Sequence, residues 1–231
     1  MSEAKQERGS VDFQINEKIS LGFRLIRVLV RVLLKLWFRP SIEQSTAIPE
    51  EGPVIIAPIH RSNLDFAFSM LLTDRKLYFI AKDSLFRGSI LTRLFLMMGA
   101  FPVRRGSADR EALVRCEEVL RAGHVLVLFP EGTRREGDAV ENLLEGAAFL
   151  AVRTGSPIIP LGIGGTEAAM PKGSKFIYRV PVSVVQGAMI TPPEPVEGKR
   201  QPRSAVHDLN DRVTQGLAQA FAQAQAASAS R

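Results

Sequence analysis

The chain has 231 residues and 25.4 kDa, 45% hydrophobic and 23% charged, with 18 Gly and 14 Pro. These are globular proportions that exclude a disordered, collagen-like or low-complexity chain and allow one α/β domain with a small appendage. Its one cysteine, Cys116, excludes an intramolecular disulfide and any multi-cysteine zinc or iron–sulfur centre, which fits a reducing cytoplasmic setting.

The net charge is +6 and the pI near 9.8, a balance that raises nucleic acid or an anionic membrane as partner. Lys18, Arg24, Arg27, Arg31, Lys35 and Arg39 lie together with no acid among them, so one segment holds the whole excess. Residues 19–38, ISLGFRLIRVLVRVLLKLWF, are 14 apolar residues in 20, and the basic residues at 24, 27, 31 and 35 have helical spacing. At about 100° per residue the four cations cover an arc of roughly 80°, leaving a broad apolar surface. Insertion across a bilayer is disfavoured, because the apolar residues gain roughly 6 kcal/mol while four central cations cost roughly 10. The pattern predicts a helix lying in the membrane interface, with Trp37 and Phe38 near the headgroups. An amphipathic helix packed on the chain's own core is the competing reading, but the apolar arc is wide for one core contact. Acids ahead of the segment and the lack of a small-residue cleavage site after it argue against a signal peptide. Residues 1–42 are therefore read as a membrane-associating segment and 43–231 as the main domain.

After Pro40, short β-branched runs alternate with amphipathic stretches, the rhythm of an α/β domain. The expected strands are Pro53–Pro58, Leu77–Ala81, Phe101–Val103, His124–Phe129, Pro157–Gly162 and Val180–Gln186. Helices are expected over 64–73, 86–98, 108–122 and 142–153, the third opened by Ser107. A Pro-rich connector, 191–203, leads to a last amphipathic helix marked by Val206, Leu209, Val213, Leu217 and Phe221. The Ala/Gln/Ser end from Ala222 is expected to fray.

Four constellations carry chemistry. His60-Arg61-Ser62-Asn63-Leu64-Asp65 falls where the first expected strand ends and a helix begins, the edge at which α/β sheets place their chemistry. Asp65 can accept one ring N–H of His60 and leave the other nitrogen as a base. With three His and eight Asp in the chain, some His-x4-Asp arises by chance about one time in ten, so alone the pattern means little. Gly99-Ala100-Phe101-Pro102-Val103-Arg104-Arg105-Gly106 delivers two guanidinium groups suited to phosphate, although an isolated Arg pair is usually a solvated face. Phe129-Pro130-Glu131-Gly132-Thr133-Arg134 supplies an acceptor, a hydroxyl and a cation after a strongly apolar strand, where an ordinary turn with a Glu–Arg pair is the bland alternative. Pro157-Ile158-Ile159-Pro160 more often fills a core, yet its two prolines suggest a position bordering a channel.

In this order and within about a hundred residues, the four blocks resemble those of the glycerolipid acyltransferases, typified by 1-acyl-sn-glycerol-3-phosphate acyltransferases, over roughly residues 53–165. The resemblance implies a mixed β-sheet flanked by helices and acyl transfer from a thioester to a hydroxyl of a glycerophosphate lipid, giving phosphatidic acid. It implies His60 as catalytic base, Asp65 as its orienting partner, and Arg105, Glu131, Gly132 and Arg134 lining the acceptor site, with Thr133 among them. Many members have Asn before the His, Pro after the Asp and Ser after the Thr-Arg pair, where this chain has Ile59, Phe66 and Arg135.

On this reading His60 takes the proton of the acceptor hydroxyl as that oxygen attacks the thioester carbonyl, and Asp65 stabilises the imidazolium. Arg105, helped by Arg104 and Arg134, holds the acceptor phosphate. Backbone amides after His60 or around Gly132 are the candidate oxyanion donors. Ser62 reads as a loop hydrogen-bonder, and Cys116 has no His beside it to make it a nucleophile. No cofactor and no metal are expected: the thioester, of coenzyme A or acyl carrier protein, is a co-substrate, and His124 and His207 read as structural or surface residues. The expected partners are lysophosphatidic acid or a related acceptor, the thioester and an anionic membrane, with the protein peripheral on the cytoplasmic face of the cell membrane. Nucleic acid is not expected, because the basic stripe is interleaved with Leu, Val and Ile in place of stacking aromatics. Competing readings are acylation of glycerol 3-phosphate or another lysolipid, and a non-catalytic membrane-docking protein.

Overall fold

The computed structural model describes residues 20–82, 86, 89–103, 110–194 and 202–231. Arg104, Arg105 and Ser107 lie outside the described residues, as does most of the Pro-rich connector.

The elements run α1 (Leu21–Phe38), β1 (Ser41–Gln44), β2 (Val54–Pro58), α2 (Asp65–Ser69), β3 (Leu77–Lys82), α3 (Ser89–Met97) and β4 (Ala100–Val103) in the first half. They continue α4 (Arg110–Arg121), β5 (Val125–Val127), α5 (Gly146–Thr154), β6 (Ile158–Gly164), α6 (Thr166–Ala169), β7 (Ser183–Gln186) and α7 (Arg203–Ala229). Seven strands form one mixed sheet in the order β1-β7-β6-β2-β5-β3-β4. All neighbours are parallel except β6 and β7, which run antiparallel. The continuous apolar runs of β2 and β5 are buried along their whole length, as strands covered on both faces should be.

Each expected strand is present within a few residues, but β1 is an addition to them. Its four residues SIEQ are exposed and carry no hydrophobic alternation, and what makes them a strand is the edge offered by β7. The helix expected over 64–73 shrinks to α2, because the chain must turn at Met70 and run to β3.

The tail does not fray at Ala222. Helix α7 continues to Ala229, and Ala220, Phe221 and Ala224 are buried against β6 and β7. Close approach explains this: a β-carbon on Gly162 would lie 2.1 Å from the Ala220 carbonyl oxygen, and one on Gly164 2.2 Å from that of Ala224. Two glycines on the strand and small residues on the helix let the backbones touch, so a polar-looking Ala/Gln sequence is held by packing.

Helix α1 is capped by Ser20, whose hydroxyl accepts the Phe23 N–H at 3.2 Å. Its inner face is Phe23, Arg27, Val30, Arg31, Leu34 and Phe38, with Phe38 edge-on to Phe68 at 5.4 Å. Arg31 donates from Nε to the Met70 carbonyl at 2.8 Å, and both Arg27 and Arg31 pair with Asp74. The basic stripe is therefore split. Two of its cations anchor the helix to the body, and only Arg24 and Lys35 remain exposed along it. The outer face, Leu21, Leu25, Val28, Leu29, Val32, Leu33, Leu36 and Trp37, is apolar and 44–72% exposed. No helix among the described residues is long and apolar enough to cross a membrane.

Candidate active site

Strands β5, β2 and β6 are parallel neighbours, so the loops that leave their C-terminal ends meet at one edge of the sheet. The chain passes from β5 over β2 to β6, and such a crossing point is where α/β sheets place their sites. His60 leaves β2, the Phe129–Arg134 stretch leaves β5, and Thr166 follows β6. The Arg135 N–H donates to the His60 carbonyl at 2.9 Å and ties the second loop to the first.

His60 and Asp65 meet across the turn: Nδ1 lies 3.2 Å from Asp65 Oδ2. Asp65 is fully buried and also accepts the N–H groups of Arg61 at 2.7 Å and Ser62 at 2.6 Å on Oδ2, with the Thr166 hydroxyl at 2.6 Å on Oδ1. A carboxylate so supplied with donors holds an Nδ1–H tautomer, which leaves Nε2 with its lone pair. The imidazole is stacked on Phe129 with centroids 4.1 Å apart, and its side chain is 13% exposed, so it is fixed yet reachable. Ser62 is a loop hydrogen-bonder, donating to the Met170 carbonyl and accepting from the Leu64 N–H.

Glu131 is 2% exposed and turned inward. Its Oε2 accepts the His60 backbone N–H at 2.7 Å, and both oxygens take Arg61 Nη1, at 2.6 and 2.7 Å. It braces the His60 turn instead of presenting a free carboxylate to a ligand. Gly132 and Thr133 are exposed beside it, and Arg134 is half-buried. The candidate oxyanion amides are largely used. Those of Arg61 and Ser62 bond Asp65, and that of Gly132 bonds the Phe129 carbonyl.

The Pro157–Pro160 block fills core. Pro160 is buried, its carbonyl accepts the Gly187 N–H, and a β-carbon on Gly216 would meet its ring at 3.0 Å, so it is packed between the residue that follows β7 and α7. Burial pushes the Cys116 thiol up to about 12, which removes it as a nucleophile.

Two residues of this site were not singled out from the sequence. Arg61 sits inside the His-x4-Asp block, where only its complete burial separates it from a loop residue. Thr166 follows Gly164-Gly165 at a strand end, and nothing local links it to a residue a hundred positions earlier.

The family model described as Acyltransferase matches residues 39–164. The chain belongs to this acyltransferase family. Among the relatives of this family member, the chloroplastic 1-acyl-sn-glycerol-3-phosphate acyltransferase LPAT1 of Arabidopsis thaliana is 31% identical over 156 residues, 63% of this chain and 44% of that protein. The 1-acyl-sn-glycerol-3-phosphate acyltransferase of Borreliella burgdorferi is 28% identical over 150 residues, 64% of this chain and 60% of that one. The chain thus spans about half the length of the curated relatives it matches. The crystal structure of the 1-acyl-sn-glycerophosphate acyltransferase PlsC from Thermotoga maritima shares the fold, with a TM-score of 0.68 at 23% identity, covering 85% of this chain and 78% of that one.

Proposed function

We propose that this family member moves an acyl group from a thioester to the free hydroxyl of 1-acyl-sn-glycerol 3-phosphate, giving phosphatidic acid. The observation that carries the reading is the His60–Asp65 pair, 3.2 Å apart at the C-terminal edge of β2, in a chain whose relatives bear that activity in their names. His60 Nε2 takes the hydroxyl proton as the oxygen attacks the thioester carbonyl. The C–S bond then breaks, and the imidazolium, stabilised by Asp65, returns the proton to the departing thiolate. The donor is an acyl-coenzyme A or acyl carrier protein thioester, and no cofactor takes part. Arg105, with Arg104 and Arg134, holds the acceptor phosphate and so fixes its hydroxyl near His60.

The protein works at a membrane surface, peripheral on the cytoplasmic face, with α1 lying in the interface. Leu34 and Phe38 pack on the core and Arg27 and Arg31 anchor on Asp74, yet eight further apolar side chains are left facing outward, more apolar surface than the core contact covers. The loop after α6 supports the same setting: Phe176, Ile177 and Tyr178 are 47–74% exposed among Lys172, Lys175 and Arg179.

Purified protein assayed with acyl-coenzyme A against 1-acyl-glycerol 3-phosphate, glycerol 3-phosphate and other lysolipids tests this. Phosphatidic acid as the main product is expected. Preference for a lysolipid without a phosphate monoester would shift the acceptor assignment.

A further inference from the structure

Asp65 has a fourth ligand that comes from outside its own turn. Three donors, His60 Nδ1 and the Arg61 and Ser62 amides, all converge on Oδ2. Oδ1 is taken by the Thr166 hydroxyl alone, at 2.6 Å, and both side chains are fully buried. A carboxylate held through one oxygen can still tilt about its last torsion. A second donor on the other oxygen fixes its plane, and with it the direction of the imidazole that bonds to it.

Thr166 is itself held from two sides. Gly165 immediately before it has φ +86°, and a β-carbon there would lie 2.1 Å from the Pro181 carbonyl oxygen, so only glycine fits. The Gly165 N–H donates to Gln225 Oε1 of α7 at 3.1 Å. At the other end of the short α6, the Met170 carbonyl accepts the Ser62 hydroxyl at 3.2 Å, so the Gly165–Met170 segment grips the His60 turn at two points.

We infer that Thr166 is a positioning residue for the His60–Asp65 pair, pinning Asp65 Oδ1 so that the imidazole of His60 keeps a fixed orientation. The inference rests on the acyl-transfer reading for its consequence in rate. Its geometry stands apart from that reading. In the transition state the imidazole carries positive charge, and a carboxylate that tilts away would lose its stabilising effect just then.

The test compares Thr166→Val, which keeps the shape and removes the hydroxyl, with Thr166→Ser, which keeps the hydroxyl. Thr166→Ala, which adds no apolar branch, is carried alongside in case valine impairs folding. Both hydroxyl-free variants should lose about tenfold in kcat, the scale of one hydrogen bond to a charged group, with the KM of both substrates unchanged. Thr166→Ser should return kcat to near the wild-type value. In an Asp65→Asn background the valine substitution should have little further effect, because its target is gone. The second readout is ¹⁵N NMR of histidine-labelled protein, in which only His60, His124 and His207 contribute. The Nδ1-bound proton of His60 should be well defined in the wild type and Thr166→Ser and broadened or lost in the hydroxyl-free variants. A hydroxyl-free variant with wild-type kcat and an unchanged His60 signal would overturn the assignment, as would a loss confined to KM. The spectrum needs no substrate, so it decides the role of Thr166 even if the wild-type chain acylates no acceptor, a result that would count against the acyl-transfer reading instead.

Discussion

Arg61 and Glu131 form an ion pair from which water is excluded: Nη1 lies 2.6 Å from one carboxylate oxygen and 2.7 Å from the other, and the side chains are 1% and 0% exposed. The remaining guanidinium donors go to the carbonyls of Gly137 and Ala139 at 2.7 Å, and the group lies over the Phe221 ring of α7, 5.0 Å from its centroid. The pair thus joins the turn after β2, the loop after β5 and the C-terminal helix. It sits directly beneath His60, whose N–H it engages through Glu131.

Breaking this pair from one side strands the other charge. Arg61→Met and Glu131→Gln should each cost about 3–5 kcal/mol in chemical denaturation, and activity should fall because His60 loses its backbone anchor. The double replacement Arg61→Met/Glu131→Leu should recover part of that stability. Single variants within about 1 kcal/mol of wild type would show that the pair is not a structural link.

The split basic stripe of α1 makes its cations unequal. Replacing Arg24 and Lys35 should weaken flotation with anionic liposomes by up to about 1 kcal/mol per charge at low salt, with the fold unaffected. Replacing Arg27 and Arg31 should instead loosen α1 from the body, which protease sensitivity between α1 and β2 would register. Replacing Leu25, Leu29 and Leu36 by Ser should abolish flotation. Equal effects of the two cation pairs would contradict this division.

Acid should undo the same anchor. The hydrogen bond and charge of Arg31 hold the Asp74 carboxyl below the usual carboxylate range. A group whose folded value is depressed contributes stability above its unfolded value, near about 4, and loses it as pH falls through the folded one. Docking of α1 should therefore be constant near neutrality and weaken only below about pH 4, which hydrogen exchange in α1 can follow.

Gly164→Ala should be destabilising out of proportion to one methyl group. Its β-carbon would fall 2.2 Å from the Ala224 carbonyl oxygen, and backbone of α7 must move to admit it. A loss of about 1–3 kcal/mol in thermal or chemical unfolding is expected, while the same change at the exposed turn glycine Gly52 is limited to the strain of its φ of +80°.

Cys116 should be silent. With its thiol pushed up to about 12 by burial, it should resist alkylation in the native state and react after denaturation, and Cys116→Ala should retain activity. Native-state modification with loss of turnover would return the thiol to consideration as a nucleophile.

Much of this was legible where chemistry is local. The apolar runs of β2, β5 and β6 mark buried strands by themselves, and His60 and Asp65 are close enough in sequence to meet across one turn. What was hidden depends on contacts between distant segments. Ser41–Gln44 is a strand only beside β7, the Ala/Gln tail is a helix only against Gly162 and Gly164, and Thr166 has a role only because β6 lies next to β2. Glu131 shows the converse. Its motif suggested a ligand contact, yet a carboxylate placed beside Arg61 and an unbonded N–H turns inward.

The most direct measurement is the turnover of 1-acyl-glycerol 3-phosphate with acyl-coenzyme A by wild-type and folded His60→Ala protein, followed by mass of the product. Wild type should release phosphatidic acid and thiol in equal amounts, and His60→Ala should lose at least about 10²–10⁴ in kcat with its unfolding transition and liposome binding intact. Turnover near the wild-type rate in His60→Ala protein would contradict the assignment of His60 as the base.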